Sequence, residues 1–407
     1  MAFAASTVMT RCDELARFSE VEGEITRTFL CEAMRETHAA VRAWMQAAGL
    51  QVRFDAAGNI VGRLPSKCLD APILLVGSHL DTVRNAGKYD GILGVVLGLA
   101  LVESLGEPIP FHIDIIGFSE EEGVRFGVPF IGSRAVVGTL DEGLLELADP
   151  SGINVRDAIC AFGLEPADLP NAAYDPKQVL GFVEVHAEQG PRLAALNRPV
   201  GVVSAVAGAT RARVSFTGKA GHAGTSPMNL RQDALTGAAE FVLGVERLAR
   251  EIPDLVGTVG QLALRPGAGN VIPGEAVLSL DVRHSEDGVR LAAVENLKDK
   301  AMVIAEVRGL RLNWETLMNQ KAVPMDETLC KLLSEVAGSD TPLLPSGAGH
   351  DAMILGEVVP SAMLFVRSPN GVSHHPDELV LEEDVAVALE VLSGFVETLA
   401  RKFEVRA

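Results

Sequence analysis

The stretch from residue 72 to residue 105 reads PILLVGSHLDTVRNAGKYDGILGVVLGLALVESL. It opens with an apolar run, Pro72 to Val76, that has the length of a buried strand. It closes with a longer apolar run, Ile92 to Leu105, that has the length of a buried helix. A buried strand followed by a buried helix is typical of a sheet with helices on its faces. Between the two runs lie one histidine and two aspartates, His79, Asp81 and Asp90.

Three further apolar runs have strand length and are rich in Ile, Leu or Val: His112 to Phe118, Gly181 to Val185 and Ala362 to Val366. Nearer the N-terminus, Thr37 to Gly49 has helical periodicity, and Val52 to Leu64 predicts a hairpin. These patterns predict an α/β protein whose main domain is a mixed sheet flanked by helices.

The middle of the chain has a different pattern. Its segments follow the order strand, helix, strand, strand, helix, strand, over Arg211 to Thr217, Leu230 to Arg250, Thr258 to Arg265, Ala276 to Arg283, Asp287 to Arg308 and Leu310 to Leu317. This is the order of the ferredoxin-like (βαββαβ) arrangement. We therefore expect residues 210–323 to form an inserted domain, and residues 1–209 and 324–407 to form the larger domain together.

The composition argues against several classes of protein. The 407 residues carry 35 Lys and Arg against 54 Asp and Glu, a formal charge of −19. Such a surface is unsuited to nucleic acid or to an anionic membrane. The longest apolar run, Ile92 to Val102, is shorter than the ~20 residues of a membrane span. Five cysteines without a CxxC pair favour a reducing, cytoplasmic setting.

Residue types that bind metals follow each of the four predicted strands of the main domain. His79 and Asp81 follow the first strand, Glu120-Glu121-Glu122 the second, His186 the third and His374-His375 the last. Ligands of open α/β sheets gather outside the carboxyl ends of the strands. Imidazole and carboxylate groups without thiolates suit zinc, manganese or related divalent ions.

The residues themselves leave alternatives open. In an extended segment Asp81 faces the same way as His79, so its carboxylate can hold the second imidazole nitrogen. The three glutamates predict either a solvated acidic turn or carboxylates held by a cation, one of them a general base with a raised pKa. Asp90 predicts either the N-cap of the following helix or a carboxylate that bridges two metals.

The inserted domain carries a second set of polar residues. His222 lies in a glycine-rich segment after the first strand of that domain, and Asn270 and Arg283 follow further along the chain. Taken singly, they are typical of loops and of surface charge. Taken together, they predict a site for an anionic substrate, because a guanidinium binds a carboxylate through two parallel hydrogen bonds.

The order of these motifs resembles that of the di-metal aminoacylase and carboxypeptidase-type hydrolases, over nearly the whole chain. Four motifs are similar to those of the amidase branch: Glu-Glu-Glu-Gly-x-Arg-Phe (120–126), His-x-Glu-Gln-Gly-Pro (186–191), Gly-His-Ala-Gly-Thr-x-Pro-Met (221–228) and Ser-Gly-Ala-Gly-His-Asp-Ala (346–352). That branch contains allantoate amidohydrolases, N-carbamoyl-L-amino-acid hydrolases and ureidopropionases.

The resemblance implies a role for each residue of the site. Asp90 would bridge two divalent ions, and the remaining metal ligands would be His79, Glu121, His186 and His374, with His375 as the alternative to His374. Glu120 would be the general base, and Asp81 would hold His79. The substrate contacts would be Gln189, His222, Asn270, Arg283 and His350, of which His222 would also stabilise the oxyanion and would reach the active site of the partner subunit.

The resemblance also implies cofactors, partners and an activity. The two ions would be manganese or zinc, with cobalt and nickel as alternatives. The substrate would be a small anionic ureido acid, and the chain would form a homodimer through the inserted dimerisation and lid domain. Hydrolysis of allantoate to ammonia and carbon dioxide is favoured. The alternatives are an N-carbamoyl-L-amino-acid hydrolase, a β-ureidopropionase, a peptidase and, from another class, a catalytically silent dimeric metal-binding scaffold.

Overall fold

A computed structural model describes residues 2–106 and 108–404. The described chain divides into two compact units. The first unit runs up to Ser204 and resumes at Met325, and the second unit is Ala205–Pro324.

The first unit contains helices and strands in alternation. Its elements before the second unit are α1 (Ala2–Leu15), α2 (Glu32–Ala47), β1 (Gln51–Phe54), β2 (Ile60–Leu64), β3 (Ile73–His79), α3 (Ile92–Ser104), β4 (His112–Phe118), α4 (Ile131–Val136), α5 (Glu142–Leu145), α6 (Val155–Ala161), β5 (Val179–Ala187), α7 (Arg192–Leu196) and β6 (Val200–Val206). Two 3-10 helices, Pro166–Ala172 and Pro176–Gln178, precede β5.

The second unit is built from seven strands of varied length, two long helices and a final short strand. They are β7 (Gly208–Thr217), β8 (Gly221–His222), α8 (Ala234–Glu251), β9 (Val256–Thr258), β10 (Leu262–Arg265), β11 (Val271–Ile272), β12 (Glu275–His284), α9 (Asp287–Arg308), β13 (Arg311–Gln320) and β14 (Val323–Pro324), with a 3-10 helix at Met228–Leu230. The first unit then resumes with α10 (Glu327–Ala337), β15 (Leu343–Ser346), α11 (Asp351–Leu355), β16 (Ser361–Val366) and α12 (Glu382–Glu404).

The large sheet has the strand order β1-β2-β4-β3-β5-β16-β6. Its four central strands are parallel, because β3 pairs in parallel with both β4 and β5, and β16 pairs in parallel with β5. The outer strands are antiparallel to their neighbours. The predicted mixed sheet and the predicted hairpin are therefore confirmed. Parallel strands place their carboxyl ends at one edge, where the metal-binding residue types lie.

Helix α3 is the centre of the core of the first unit. Every residue from Ile92 to Val102 is buried. This helix packs on β3 and β5 and lies against α1 and α12, so it has no solvent-facing side and needs no polar stripe. Among the described residues, no helix combines the length and the apolar character that crossing a bilayer requires.

In the second unit, helices α8 and α9 pack against a sheet with the order β10-β12-β7-β13, with β9 also paired to β12. Two expectations are corrected here. The predicted strand from Thr258 to Arg265 is two strands, β9 and β10, which pair separately with β12. The predicted helix from Leu230 begins at Ala234, because the Asp233 side chain accepts hydrogen bonds from two backbone N–H groups of the first turn.

Candidate metal centre

The carboxyl ends of the four parallel strands bring five segments of the first unit together. β3 ends at His79, β5 carries His186 one residue before its end, and His374 lies in the loop after β16. The acidic loop, which we define as Ser119–Gly123, follows β4. Asp90 lies in the segment that leads into α3.

Asp90 is the carboxylate that these segments share. Its Oδ1 lies 3.2 Å from Nε2 of His186 and 3.5 Å from Nε2 of His79. Its Oδ2 lies 3.4 Å from Nε2 of His374. The two oxygens of one buried carboxylate therefore face different histidines, which is the arrangement that a bridging ligand requires.

The backbone around Asp90 keeps its carboxylate available. Helix α3 begins at Ile92 with Gly91 as its N-cap, and no side chain forms a cap hydrogen bond there. Gly91 has a φ of +68°, and a Cβ at this position would lie 2.5 Å from ring atoms of the His79 side chain. Glycine is thus required both by the backbone conformation and by the ring that packs on it.

Around this carboxylate the side chains form three candidate metal groups, and within each group the ligand atoms lie within 4.8 Å of one another. The groups are His79 with Asp90 and His186, Asp90 with Glu122 and His374, and His79 with Glu121 and Glu122. In the second group, Oε1 of Glu122 lies 3.7 Å from Nε2 of His374. In the third group, Oε2 of Glu121 lies 4.0 Å from Nε2 of His79. Glu122 was not among the predicted ligands.

These residues fit divalent cations. Imidazole nitrogens and carboxylate oxygens converge without a thiolate, a donor set that suits zinc or manganese. Oε1 of Glu122 is buried and finds no hydrogen-bond partner in the described part of the chain, a costly state unless a cation faces it. Burial and the neighbouring Asp90 raise the pKa of Glu122 to about 8, which reflects the same uncompensated negative charge.

The carboxylate of Glu120 is hydrogen-bonded to the backbone of other segments. Its Oε1 accepts the backbone N–H groups of Arg125 at 2.9 Å and Phe126 at 3.4 Å, and its Oε2 accepts that of Phe29 at 3.1 Å. It is fully buried and belongs to none of the candidate metal groups of the described residues. Its carboxylate is therefore engaged with backbone N–H groups rather than with a candidate metal group.

The predicted contact between Asp81 and His79 is also different in detail. Nδ1 of His79 lies 2.9 Å from the backbone carbonyl oxygen of Asp81 and 3.7 Å from its carboxylate. The carboxylate instead accepts the backbone N–H groups of Glu121 at 3.0 Å and Glu122 at 3.1 Å. Asp81 thus orients the imidazole through its main chain and fixes the acidic loop through its side chain.

Electrostatics in the metal centre follow from burial and from these contacts. Burial would raise the pKa of Asp90, but the hydrogen bonds and charges of His186 and His79 hold it well below its usual range. Burial, together with the neighbouring acidic groups, raises the pKa of Glu121 well above its usual range. A buried carboxyl group of this kind is a suitable general base once a cation compensates its charge.

Two predicted substrate contacts lie beside the metal centre. The side-chain amide of Gln189 donates hydrogen bonds to Oδ2 of Asp90 and to Oγ of Ser373, both at 3.0 Å. His350 is buried, and its ring packs edge-on against that of His186 with centroids 4.5 Å apart. Its Nε2 lies 2.8 Å from Oγ of Ser346. Both residues therefore contact the candidate metal centre.

The doublet of histidines divides between two environments. His374 faces Asp90 and Glu122, as described above, whereas Nδ1 of His375 lies 3.5 Å from the carboxylate of Asp377. His374 also has a φ of +55°, a left-handed conformation that turns its side chain differently from that of its neighbour. Of the two, His374 is the one that belongs to a candidate metal group.

Of the three predicted residues of the second unit, His222 and Arg283 lie on strands and Asn270 lies in the turn before β11. His222, in β8, pairs with Val271 of β11, and the carbonyl of the preceding Asn270 accepts the N–H of Ala223. These contacts place His222 and Asn270 side by side. Arg283 lies on β12, where its guanidinium donates to both carboxylate oxygens of Asp281.

A helix-flanked sheet whose strand ends gather histidines and carboxylates around one shared carboxylate defines a metal-binding α/β protein. Residues 75–398 match the family described as Peptidase family M20/M25/M40, and the chain belongs to this family.

Curated relatives and solved structures are similar to the chain over almost its full length. It is 38% identical to an allantoate deiminase of Arabidopsis thaliana, over 96% of this chain and 81% of the relative. It is 41% identical to an N-carbamoyl-L-amino acid amidohydrolase of Geobacillus stearothermophilus, over 93% of this chain and 94% of the relative. A solved amidase of the hydantoinase/carbamoylase family from Burkholderia multivorans has a TM-score of 0.91 and 30% identity, and the match covers 96% of this chain and 97% of that one.

Proposed function

We propose that the protein is a metal-dependent hydrolase of linear C–N bonds in ureido acids. The observation that carries the proposal is the shared carboxylate of Asp90, which faces His79 and His186 through one oxygen and His374 through the other. The similarity to enzymes named as allantoate deiminase and as N-carbamoyl-L-amino acid amidohydrolase supports the substrate class.

The candidate metal groups support an assignment of two ligand sets. His79, Asp90 and His186 would hold one divalent ion, and Asp90, Glu122 and His374 would hold a second. In this assignment Glu122 takes the place of the predicted ligand Glu121, because Glu122 is the residue of the acidic loop that shares a candidate group with Asp90 and His374. Manganese and zinc are the favoured ions, and cobalt and nickel are alternatives.

Glu121 is then the general base in place of the predicted Glu120. Divalent cations bound beside it polarise an amide carbonyl and lower the pKa of a water molecule. The carboxylate of Glu121 accepts a proton from the attacking water and delivers it to the leaving nitrogen, which departs as an amine or ammonia. Asp81 holds the backbone of Glu121 in place during this transfer. Gln189 and His350 line the centre and contact the ureido group.

The second unit supplies the groups that recognise the substrate anion. We place the inserted ferredoxin-like domain at residues 210–323, between the two parts of a catalytic domain at 1–209 and 324–407. The strand order β10-β12-β7-β13 under two helices supports this interpretation. His222 stabilises the oxyanion, from the partner subunit of a homodimer. Asn270 and Arg283 bind the carboxylate of the substrate. To do so, the guanidinium of Arg283 releases the carboxylate of Asp281 and donates to that of the substrate. A cytoplasmic location stays a prediction.

Allantoate is the first candidate substrate, because the N-terminal stretch from Ile25-Thr26-Arg27-Thr28-Phe29 to Trp44-Met45, with Asp55-Ala56-Ala57-Gly58-Asn59, resembles that of allantoate amidohydrolases. N-carbamoyl-L-amino acids are the second candidate, since the Geobacillus relative is 41% identical. β-Ureidopropionate is a third candidate of the same chemistry.

A panel of substrates tests the proposal. Purified protein reconstituted with Mn²⁺ is assayed for ammonia release from allantoate, several N-carbamoyl-L-amino acids and β-ureidopropionate, and for cleavage of a dipeptide. We expect release from a ureido acid, with allantoate preferred, and loss of most turnover in Glu121→Gln without loss of bound metal. Cleavage of the dipeptide alone would contradict the substrate class. Full activity of Glu121→Gln would contradict the assignment of the base.

A further inference from the structure

A segment near the N-terminus connects two of the loops at the candidate metal centre. We define it as the strap, residues Ile25–Phe29. Its main-chain carbonyls accept the N–H groups of Ala86 at 2.8 Å and Thr82 at 2.9 Å, in the loop between β3 and α3. At its other end, the N–H of Phe29 donates to Glu120 of the acidic loop. The strap therefore contacts two of the three loops that carry candidate ligands.

The strap is itself firmly held. The guanidinium of Arg27 is buried and donates to the carbonyls of Leu80 at 2.8 Å, Leu15 at 3.0 Å and Phe18 at 2.9 Å. Leu80 directly follows His79, and Leu15 ends helix α1. The strap is thus a rigid support rather than a loose connection, because a buried guanidinium with three carbonyl partners resists displacement.

Glu120 is the point at which the acidic loop meets this support. Its carboxylate joins two parts of the chain that are distant in sequence, Phe29 on one side and Arg125 with Phe126 on the other. Arg125 reinforces the junction, since its guanidinium donates to the carbonyl of Phe29 at 2.8 Å. Glu120 also has a φ of +50°, an uncommon conformation for a residue with a side chain, so the contacts must hold it there.

The conformation of Glu120 determines the direction in which the next two residues leave the end of β4. Glu121 and Glu122 follow it in the chain, and their N–H groups are fixed by the carboxylate of Asp81. The loop is therefore held on one side through Glu120 and on the other through Asp81, while the carboxylates of Glu121 and Glu122 face the metal centre.

We propose that Glu120 is a positioning residue. The hydrogen bonds of its carboxylate hold the acidic loop against the strap and so direct the side chains of Glu121 and Glu122 toward the metal ions. This inference rests on the proposed function of Glu121 and Glu122. In this proposal Glu120, the first glutamate of the run, neither binds metal nor transfers a proton, and acts through the conformation of the loop.

The test uses Glu120→Gln, which keeps the size of the side chain but turns an NH₂ group toward one of the backbone N–H donors. Metal-free protein is titrated with Co²⁺ while the visible absorption of the bound ion is recorded. We expect one of the two ions to bind about 10–100-fold more weakly, as is usual when a group that supports a ligand is altered. We also expect a changed spectrum and, at saturating metal, a lower kcat with a nearly unchanged KM.

Asp114→Asn is the matched control. Asp114 is a buried carboxylate on β4, the strand that leads into the acidic loop, but it pairs with Arg63 and Tyr174 instead. This variant should lower the melting temperature and leave the Co²⁺ affinities and spectrum unchanged. If Glu120→Gln behaves in the same way, the positioning role is overturned.

Arg125→Lys keeps the inference testable if Glu120→Gln does not fold. A lysine keeps the positive charge but lacks the guanidinium group that donates to the carbonyl of Phe29. We therefore expect the same change in the Co²⁺ spectrum, to a smaller extent. Wild-type spectra and affinities in this variant would overturn the proposal. If Glu120 has no positioning role, the expected loss of turnover in Glu121→Gln is unaffected. The two proposals can therefore fail separately.

Discussion

Nε2 of His186 lies 3.2 Å from Oδ1 of Asp90. The other oxygen of the same carboxylate faces His374 at 3.4 Å, so one side chain contacts histidines on two sides of the candidate metal centre. His186 lies on β5, whose parallel neighbour β16 leads into the loop that carries His374. The shared carboxylate is the feature from which the ligand assignments follow.

Asp90→Asn should weaken the binding of both ions, since an amide offers one neutral oxygen where the carboxylate offers two charged ones. We expect a loss of metal affinity larger than the ~10–100-fold typical of residues that only support a ligand. The measurement is a titration of metal-free protein with Mn²⁺. Ser373→Ala is the control, because Oγ of Ser373 touches Oδ2 of Asp90 only at 3.4 Å. Loss of a single ion in Asp90→Asn would show that the carboxylate is not shared.

Gly91→Ala should displace His79 and destabilise the protein. The added Cβ would lie 2.5 Å from three ring atoms of His79, and the φ of +68° is unfavourable for alanine. We expect a loss of about 1–3 kcal/mol in the free energy of unfolding, together with weaker metal binding. Denaturant titration and metal titration measure the two effects.

Gly244→Ala is the matched control for that variant. Gly244 lies within α8, and nothing is found within 4 Å of a Cβ built there. Alanine should stabilise this helix by up to about 1 kcal/mol. Equal stability of the two variants would mean that the contact with His79 does not require glycine.

Stability should fall in acid because of His38. Its ring is buried between those of Phe54 and Phe162, at centroid distances of 5.1 and 5.8 Å. Burial, with the charges of Arg27 and Arg35, lowers the pKa of His38 to about 3. The unfolded chain binds a proton near pH 6.5, and the folded chain binds it only near pH 3. The contribution of His38 is therefore fully present above pH ~6.5 and is lost as the pH falls toward 3, on the order of 1 kcal/mol for each pH unit.

Replacement of that histidine tests the sign of this effect. His38→Phe should flatten the decline of stability between pH 6 and 4, as measured by denaturant unfolding at several pH values. Phe162→Leu removes a ring contact but keeps the titrating group, so it should be less stable with an unchanged slope. An identical slope in wild type and His38→Phe would contradict the assignment.

The sequence was sufficient to predict the sheet and the edge at which the metal centre lies. Continuous apolar runs such as Ile73 to Val76 indicate buried parallel strands, and polar residues that follow them mark the carboxyl ends. His79, Asp90, His186 and His374 were all predicted from this pattern or from the resemblance it supported, and the structure brings them together.

The sequence could not assign roles within the run of three glutamates. Three identical residues give no periodic signal for which side chain faces inward. Glu120 has a left-handed φ, and its carboxylate accepts the N–H of Phe29, which lies 91 residues earlier in the chain, so no local pattern announces this conformation. The carboxylate of Asp81 escaped prediction for the same reason, since its partners are N–H groups of the acidic loop about 40 residues away.

Metal content of Glu122→Gln is the most direct test of the account. After reconstitution with Mn²⁺ and removal of free ions, we predict that this variant loses one of the two ions held by the wild type. Glu121→Gln, its neighbour of the same size, should retain both ions and lose turnover. Full metal content in Glu122→Gln, with an ion missing from Glu121→Gln instead, would contradict the account.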